Sequence, residues 1–241
     1  DDGGGGAAAA VGNRVGEAVV ATEPGIGRVD DRHAGYGCRP ERRRAGVDDH
    51  QCIAVRVEIV GEDRQCDIRA LGDDPAQVSR LATIWLQAMQ QHGVAATAKH
   101  FPGDGIDDRD QHLLTSVNSL PFDQWLETFG VVWKAVIDAG VMCIMPGHIS
   151  LPDYQGYRDH PEDAPPATLS RKLLIDLLRQ ELGYEGLIVS DNASMIGLTC
   201  HADADDLIVE AIASGIDIYL NADPEHDFDR LLRGVHSGRI P

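Results

Sequence analysis

The stretch KHFPGDGIDDRDQH, residues 99–112, concentrates four aspartates and two histidines in fourteen positions. A solvated acidic loop, a metal site and a catalytic loop are all compatible with such a composition. Metal ligation fits worst. Aspartates at 104, 107, 108 and 110 lack the alternating spacing and closing Glu of a calcium loop, and no His-x-His pattern marks a metallohydrolase strand end. No metal and no cofactor is therefore expected. Proton transfer is the chemistry that Asp110 and His112 suggest. A carboxylate two residues before an imidazole can accept from one ring nitrogen, fix the tautomer and leave the other nitrogen for proton transfer. A plain surface histidine has the same spacing. Pro102 and the glycines at 103 and 105 let the loop bend sharply. Asp104, Asp107 and Asp108 read as loop-shaping or solvated.

A second candidate is Asp191, which the run GLIVSD (186–191) carries straight out of an apolar segment. Asp followed by Asn-Ala-Ser also suits a helix N-cap, and the residues alone leave cap and nucleophile level. A carboxylate fixed at such a strand end can attack a sugar carbon as a covalent nucleophile. Two further apolar runs end in Pro146-Gly147-His148 and Asn221-Ala222-Asp223.

The elements that must position these residues alternate. Helices are predicted over about 74–93, 122–139, 170–182, 203–214 and 225–236, and short apolar strands over 93–99, 141–145, 186–190 and 216–220. Asp74-Pro75 and Ser170 mark helix starts, and Gly93, Gly140 and Gly183 mark stops. Strands separated by helices specify an α/β fold with a parallel sheet. Without a GxGxxG turn, a (β/α)8 barrel of the TIM type is favoured over a dinucleotide-binding fold. In such barrels the chemistry gathers at the C-terminal ends of the strands. All four polar strand ends would then share one rim.

Residues 1–66 break this rhythm with a tetraglycine, a tetra-alanine and ERRRAG. They read as an irregular, atypical segment. Within it, IAVRVEIV (53–60) alternates like a half-exposed strand, unlike the continuous apolar run of a buried parallel strand. Residues 67–241 supply about half a barrel's strands, so the barrel is expected to be incomplete at its N-terminal side. The opening DDGGGGAAAA, with neither Met nor a signal-like apolar region, reads as the start of a fragment.

A formal charge of −18 argues against nucleic acid as a partner, because phosphates are bound by clustered Lys and Arg. No apolar run approaches the roughly 18 residues of a membrane span. Five cysteines without a CxxC spacing point to a reducing, cytoplasmic setting. The sequence sets no oligomeric state. Only three of the 21 basic residues are lysines, which makes Lys99 inside the opening stretch conspicuous.

Together these segments resemble glycoside hydrolase family 3, in its β-N-acetylglucosaminidase-like branch. KHFPGDG (99–105) followed by Asp110-Gln111-His112 resembles that branch's KHFPGHG and D-x-H, with Asp104 standing in place of the second histidine. Met145-Pro-Gly-His148-Ile149, PATLS (166–170), LRQELGYEGLIVSD (178–191) and IRALGDDP (68–75) are similar to four further family motifs, in the family's order. The resemblance implies a retaining hydrolase of terminal β-linked N-acetylhexosamine. Asp191 would be the nucleophile and His112, aided by Asp110, the acid/base. Arg69, Lys99, His100 and His148 would bind the carbohydrate, a glycan or peptidoglycan fragment. Replacing a carboxylate acid/base by His also leaves room for an anionic acceptor, hence phosphorolysis. A β-glucosidase-type member, and a non-catalytic protein with a broken barrel, are the other readings.

Overall fold

The computed structural model describes residues 71–240 and the backbone of residues 54–56. Arg69 and, apart from residues 54–56, the segment 1–66 lie outside the described residues. Four strands lie side by side in chain order, all parallel: β1 (Ala54–Arg56), β2 (Thr97–Phe101), and, with β3 (Ser116–Val117) set aside, β4 (Cys143–Pro146) and, beyond β5 (Ile149–Ser150), β6 (Leu187–Ile188). Sequential parallel neighbours joined by helices are the repeating unit of the (β/α)8 barrel. A further parallel bridge from Val189 to Ile218 is all that forms of the strand predicted over 216–220. The small strands β3 and β5 pair parallel with each other beside the main sheet.

β1 corrects the reading of the run 53–60. Ala54, Val55 and Arg56 pair in parallel register with Thr97, Ala98 and Lys99. The alternating pattern had argued against a barrel strand, but parallel pairing is made by backbone groups that every residue carries.

The helices follow the predicted rhythm. α1 (Pro75–Gln91) starts where Asp74 accepts the Gln77 amide at 2.9 Å, with Pro75 at its first position. α2 (Phe122–Trp125) runs through a π-helical turn (Leu126–Gly130) into α3 (Val131–Asp138) as one rod. After the short α4 (Pro152–Gln155) comes a π-helical segment, Lys172–Glu181, entered where Ser170 Oγ accepts the Leu173 amide. α5 (Ile196–Thr199) is short, and α6 (Ala204–Ser214) and α7 (Asp227–His236) complete the order. None of these helices is long and apolar enough to cross a membrane.

The core lies where the helices meet the sheet. Val78, Ala82 and Leu86 of α1, Trp133 and Val136 of α3, and Leu173, Leu174, Leu177 and Leu178 are fully buried. Phe101 ends β2 edge-on to Trp133 at 5.2 Å and to Trp125 at 6.4 Å. The next residue is the pivot. Both indole N–H groups, of Trp125 and Trp133, donate to the Pro102 carbonyl at 2.9 Å. Gly103 then turns at φ +139°, where a Cβ would sit 2.2 Å from Phe129 Cδ1. At the opposite end of the strands a different network holds. Arg179 donates to the carbonyls of Tyr184 and Gly186 and to Asp217, which also accepts the Ile188 amide.

Trp125→Phe and Trp133→Phe should each cost about 1 kcal/mol of unfolding free energy by removing one hydrogen bond. The double variant should lose about 1–3 kcal/mol beyond the sum, because only it leaves the Pro102 carbonyl buried without a partner. Urea titration of all four proteins measures this, and strict additivity would contradict the shared anchor.

Candidate active site

Asp191 lies two residues past the Val189 bridge position, so it emerges at the C-terminal end of the parallel strands. Ser190 fixes this exit: its hydroxyl accepts the Leu220 amide at 2.9 Å and donates to the Asp191 carbonyl at 2.8 Å. Asp191 caps no helix. Among the described residues its Oδ1 accepts the neighbouring Asn192 amide, and α5 begins at Ile196. Its Oδ2 lies 3.2 Å from Nε2 of His100, the residue beside Lys99 in β2. The two side chains are 17% and 5% exposed. Burial pushes the Asp191 carboxyl up, but the His100 hydrogen bond and charge, with the Asn192 amide, overcome it and hold the group well below the usual carboxylate range.

Asp110 and His112 do form the pair that their spacing suggests. Asp110 Oδ1 accepts from the His112 amide at 2.9 Å and from its Nδ1 at 2.7 Å. This leaves Nε2 as the ring nitrogen not tied to Asp110. Burial raises the Asp110 carboxyl, and these two bonds outweigh it, so its pKa falls below the ordinary value. The imidazole is 72% exposed and the carboxylate 58%. A largely buried, ionised carboxylate after β6 and a solvent-facing imidazole on the loop after β2 therefore stand at the same end of the sheet, with β4 between their strands. Backbone bonds join their loops: Ile196 N–H donates to the His112 carbonyl at 3.2 Å and Gly197 N–H to the Gln111 carbonyl at 3.1 Å.

Other expected site residues fall differently. Lys99 is half-buried in β2, in register with Met145 of β4. His148, expected to touch carbohydrate, is fully buried, and protein groups occupy both its ring nitrogens. Nε2 lies 3.0 Å from the Asn192 carbonyl, which can only accept, so Nδ1 accepts from the Thr168 hydroxyl at 3.0 Å. Burial, against the Asn192 bond and the Asp191 charge, lowers its pKa and keeps it neutral. In this arrangement His148 holds the residue after Asp191 rather than a ligand. The Asp223 carboxylate is engaged at the start of α7, where it accepts the Glu225 amide and pairs with the His226 ring. Asp107 shapes the loop, accepting from the Arg109 amide and guanidinium and from the Val117 amide.

Two contributors escape sequence reading. Gln111, 6% exposed, donates to Asp104 at 2.7 Å and accepts the His148 amide at 2.7 Å. Asp104 in turn lies 3.9 Å from His100 Nδ1. A polar side chain between two expected catalytic residues carries no signal of its own burial. The substitution at 104 was the only visible hint.

A family model for the glycosyl hydrolase family 3 N-terminal domain matches residues 41–241, beginning upstream of the boundary at 67 read from composition. A β-N-acetylglucosaminidase/β-glucosidase of Cellulomonas fimi is 38% identical over 206 residues, covering 83% of this chain and 36% of that protein. A β-hexosaminidase of Methylobacillus flagellatus is 32% identical over 202 residues, 84% of this chain and 55% of its own length. Among solved structures, the β-glucoside phosphorylase BglX superposes with a TM-score of 0.71 at 32% identity, covering 78% of this chain and 35% of that one. A family 3 β-N-acetylglucosaminidase from Paenibacillus sp. FPU-7 gives a TM-score of 0.63 at 32% identity, over 69% and 31% of the two chains. The chain thus spans between about a third and just over half the length of these relatives. By the match over residues 41–241 and the parallel strand order that the structure shows, the chain belongs to glycosyl hydrolase family 3 and carries its TIM-type barrel fold.

Proposed function

We propose that the chain is catalytic barrel sequence of a retaining hydrolase that releases terminal β-linked N-acetylhexosamine. The observation that carries this reading is a largely buried carboxylate, Asp191, kept ionised by His100, together with the Asp110–His112 pair on the loop after β2, which backbone bonds join to the segment after Asp191. Protonated His112 gives its Nε2 proton to the leaving glycosidic oxygen as Asp191 attacks the anomeric carbon, forming a glycosyl ester. Neutral His112 then takes a proton from water, whose oxygen displaces Asp191. Asp110 holds the ring with Nε2 outward through both steps. Lys99, together with Arg69 upstream, supplies cationic donors for sugar hydroxyls. The names of the Cellulomonas and Methylobacillus relatives support N-acetylhexosamine as the glycone, and the first of them adds glucose as the alternative.

Phosphorolysis is the second reading. An imidazole in place of a carboxylate does not repel an anionic acceptor, and the likeness to a β-glucoside phosphorylase at 32% identity favours testing it. Sugar 1-phosphate formed in phosphate buffer and absent without phosphate would establish it. Free sugar alone in both buffers excludes it.

Asp191→Ala should abolish turnover of a β-N-acetylglucosaminide with an activated aryl leaving group. His112→Ala should lose on the order of 10²–10⁴-fold on a poor leaving group and much less on the activated one. Equal losses on the two substrates would rule out the acid/base role.

The pH profile offers a separate check. Because the folded-state pKa of Asp191 is depressed, its ionised form persists below the ordinary carboxylate range and is lost only as pH falls through the lowered value. In His100→Ala the largest contributions opposing burial are lost and the Asn192 amide remains, so that pKa rises and the acid limb of kcat/KM should move to higher pH. An unmoved limb would show that His100 does not govern Asp191.

A further inference from the structure

We infer that Gln111 and Asp104 are positioning residues that clamp the acid/base loop to the nucleophile's strand ends, an inference that rests on the roles proposed for Asp191 and His112. Gln111 is the middle residue of Asp110-Gln111-His112, and its side chain points the other way from its exposed neighbours, into the protein. Both ends of its amide group are engaged: Nε2–H donates to Asp104 Oδ2 and Oε1 accepts the His148 N–H, each at 2.7 Å. Asp104 Oδ1 accepts the Gly105 amide, so that carboxylate is itself held by its own turn.

The space for this side chain is built by glycines. A Cβ on Gly147 would lie 2.6 Å from Gln111 Oε1 and 2.9 Å from the His100 Cβ. A Cβ on Gly197 would lie 2.6 Å from the Gln111 carbonyl and 3.1 Å from the His148 Cβ. Both glycines admit Gln111 from opposite sides, one at its side chain and one at its backbone. Thr115 Oγ1 adds a hydrogen bond to the Gly197 carbonyl at 2.9 Å.

The clamp closes a circuit. From Asp191 it passes to His100 at 3.2 Å, from His100 to Asp104 at 3.9 Å, and from Asp104 through Gln111 to the His148 amide. His148 returns it through its ring to the Asn192 carbonyl, next to Asp191. Among the described residues, the titratable groups linked to the Asp104–Gln111 contact are His100 from β2 and His148 from the turn after β4, with Asp191 beyond His100. Displacing Gln111 would shift the Asp110–His112 loop relative to Asp191 while removing none of the proposed catalytic groups.

Gln111→Glu tests this with an isosteric change. Its Oε1 still accepts the His148 amide, but a carboxylate now faces the Asp104 carboxylate at a hydrogen-bond distance. Two such groups cannot both stay ionised, and they share one proton with a raised pKa. At neutral pH the variant should lose on the order of 10²-fold on a poor leaving group and far less on an activated aryl glycoside. The ratio of variant to wild-type rate should climb toward one as pH falls and the pair takes up its proton. Combining Gln111→Glu with Asp104→Asn exchanges donor and acceptor, keeps the negative charge within the pair and should restore the rate at neutral pH. A pH-independent ratio, equal losses on both leaving groups, or a double variant no better than the single would overturn the clamp. Amide hydrogen exchange gives a readout without turnover. Gln111→Ala should speed exchange at His148, Ile196 and Gly197 while leaving α1 unchanged, and unchanged exchange at those three would also overturn it. Wild-type protein that is inactive on every aryl glycoside, yet shows this selective exchange, would instead retire the proposed activity and keep the clamp as a structural one.

Discussion

The Pro102 carbonyl is where the loop after β2 is fastened to the helical layer. Two indoles from one helical rod converge on a single acceptor, which ties the chain leaving β2 to the face of α2 and α3. Everything downstream to His112 hangs from that point: the turn at Gly103, the carboxylate of Asp104, and the pair beyond. Phe101, packed edge-on to both tryptophans, makes the strand end and the helix one packed unit. A loop so rich in aspartate would otherwise be governed by solvation and charge repulsion. The apolar anchor at its base and the backbone acceptors within it, such as Asp107 on the Val117 amide, give it one course.

The two ends of the parallel strands are built differently. At their entrances, Arg179, Asp217 and the Tyr184 ring and hydroxyl bond backbone groups and each other, a network that consumes polar groups internally. At their exits, polar side chains are buried but aligned: Asp191 against His100, His148 against Asn192, Gln111 against Asp104. This asymmetry is the expected division in a parallel α/β fold, where stability gathers at one end and chemistry at the other.

Much of this was legible in the residues. Asp74-Pro75 and Gly93 bracket α1 because the capping carboxylate and the positive-φ glycine (φ +80°) are local requirements. GLIVSD reveals a buried strand delivering a carboxylate because apolarity and position suffice. Asp110 and His112 were readable because they contact each other across one residue. His148 was not, since a buried histidine satisfied by Thr168 and a carbonyl has the same letter as one that meets a ligand. Asp223 misled for the same reason: a strand-end carboxylate that holds its own helix start is indistinguishable, in sequence, from one facing the rim. β1 was masked by its alternation, and Gln111 by its neighbours, whose exposure suggested a wholly solvated loop.

The contrast in exposure between the two proposed catalytic groups has a kinetic meaning. An imidazole standing 72% open to solvent exchanges its proton directly with bulk water and buffer, so no internal relay is needed to reset its charge between turnovers. Asp191, only 17% exposed, has less of such traffic and keeps its charge through its neighbours. The molecule thus separates the group whose proton inventory must change from the one whose inventory must not, and it does so by depth below the surface.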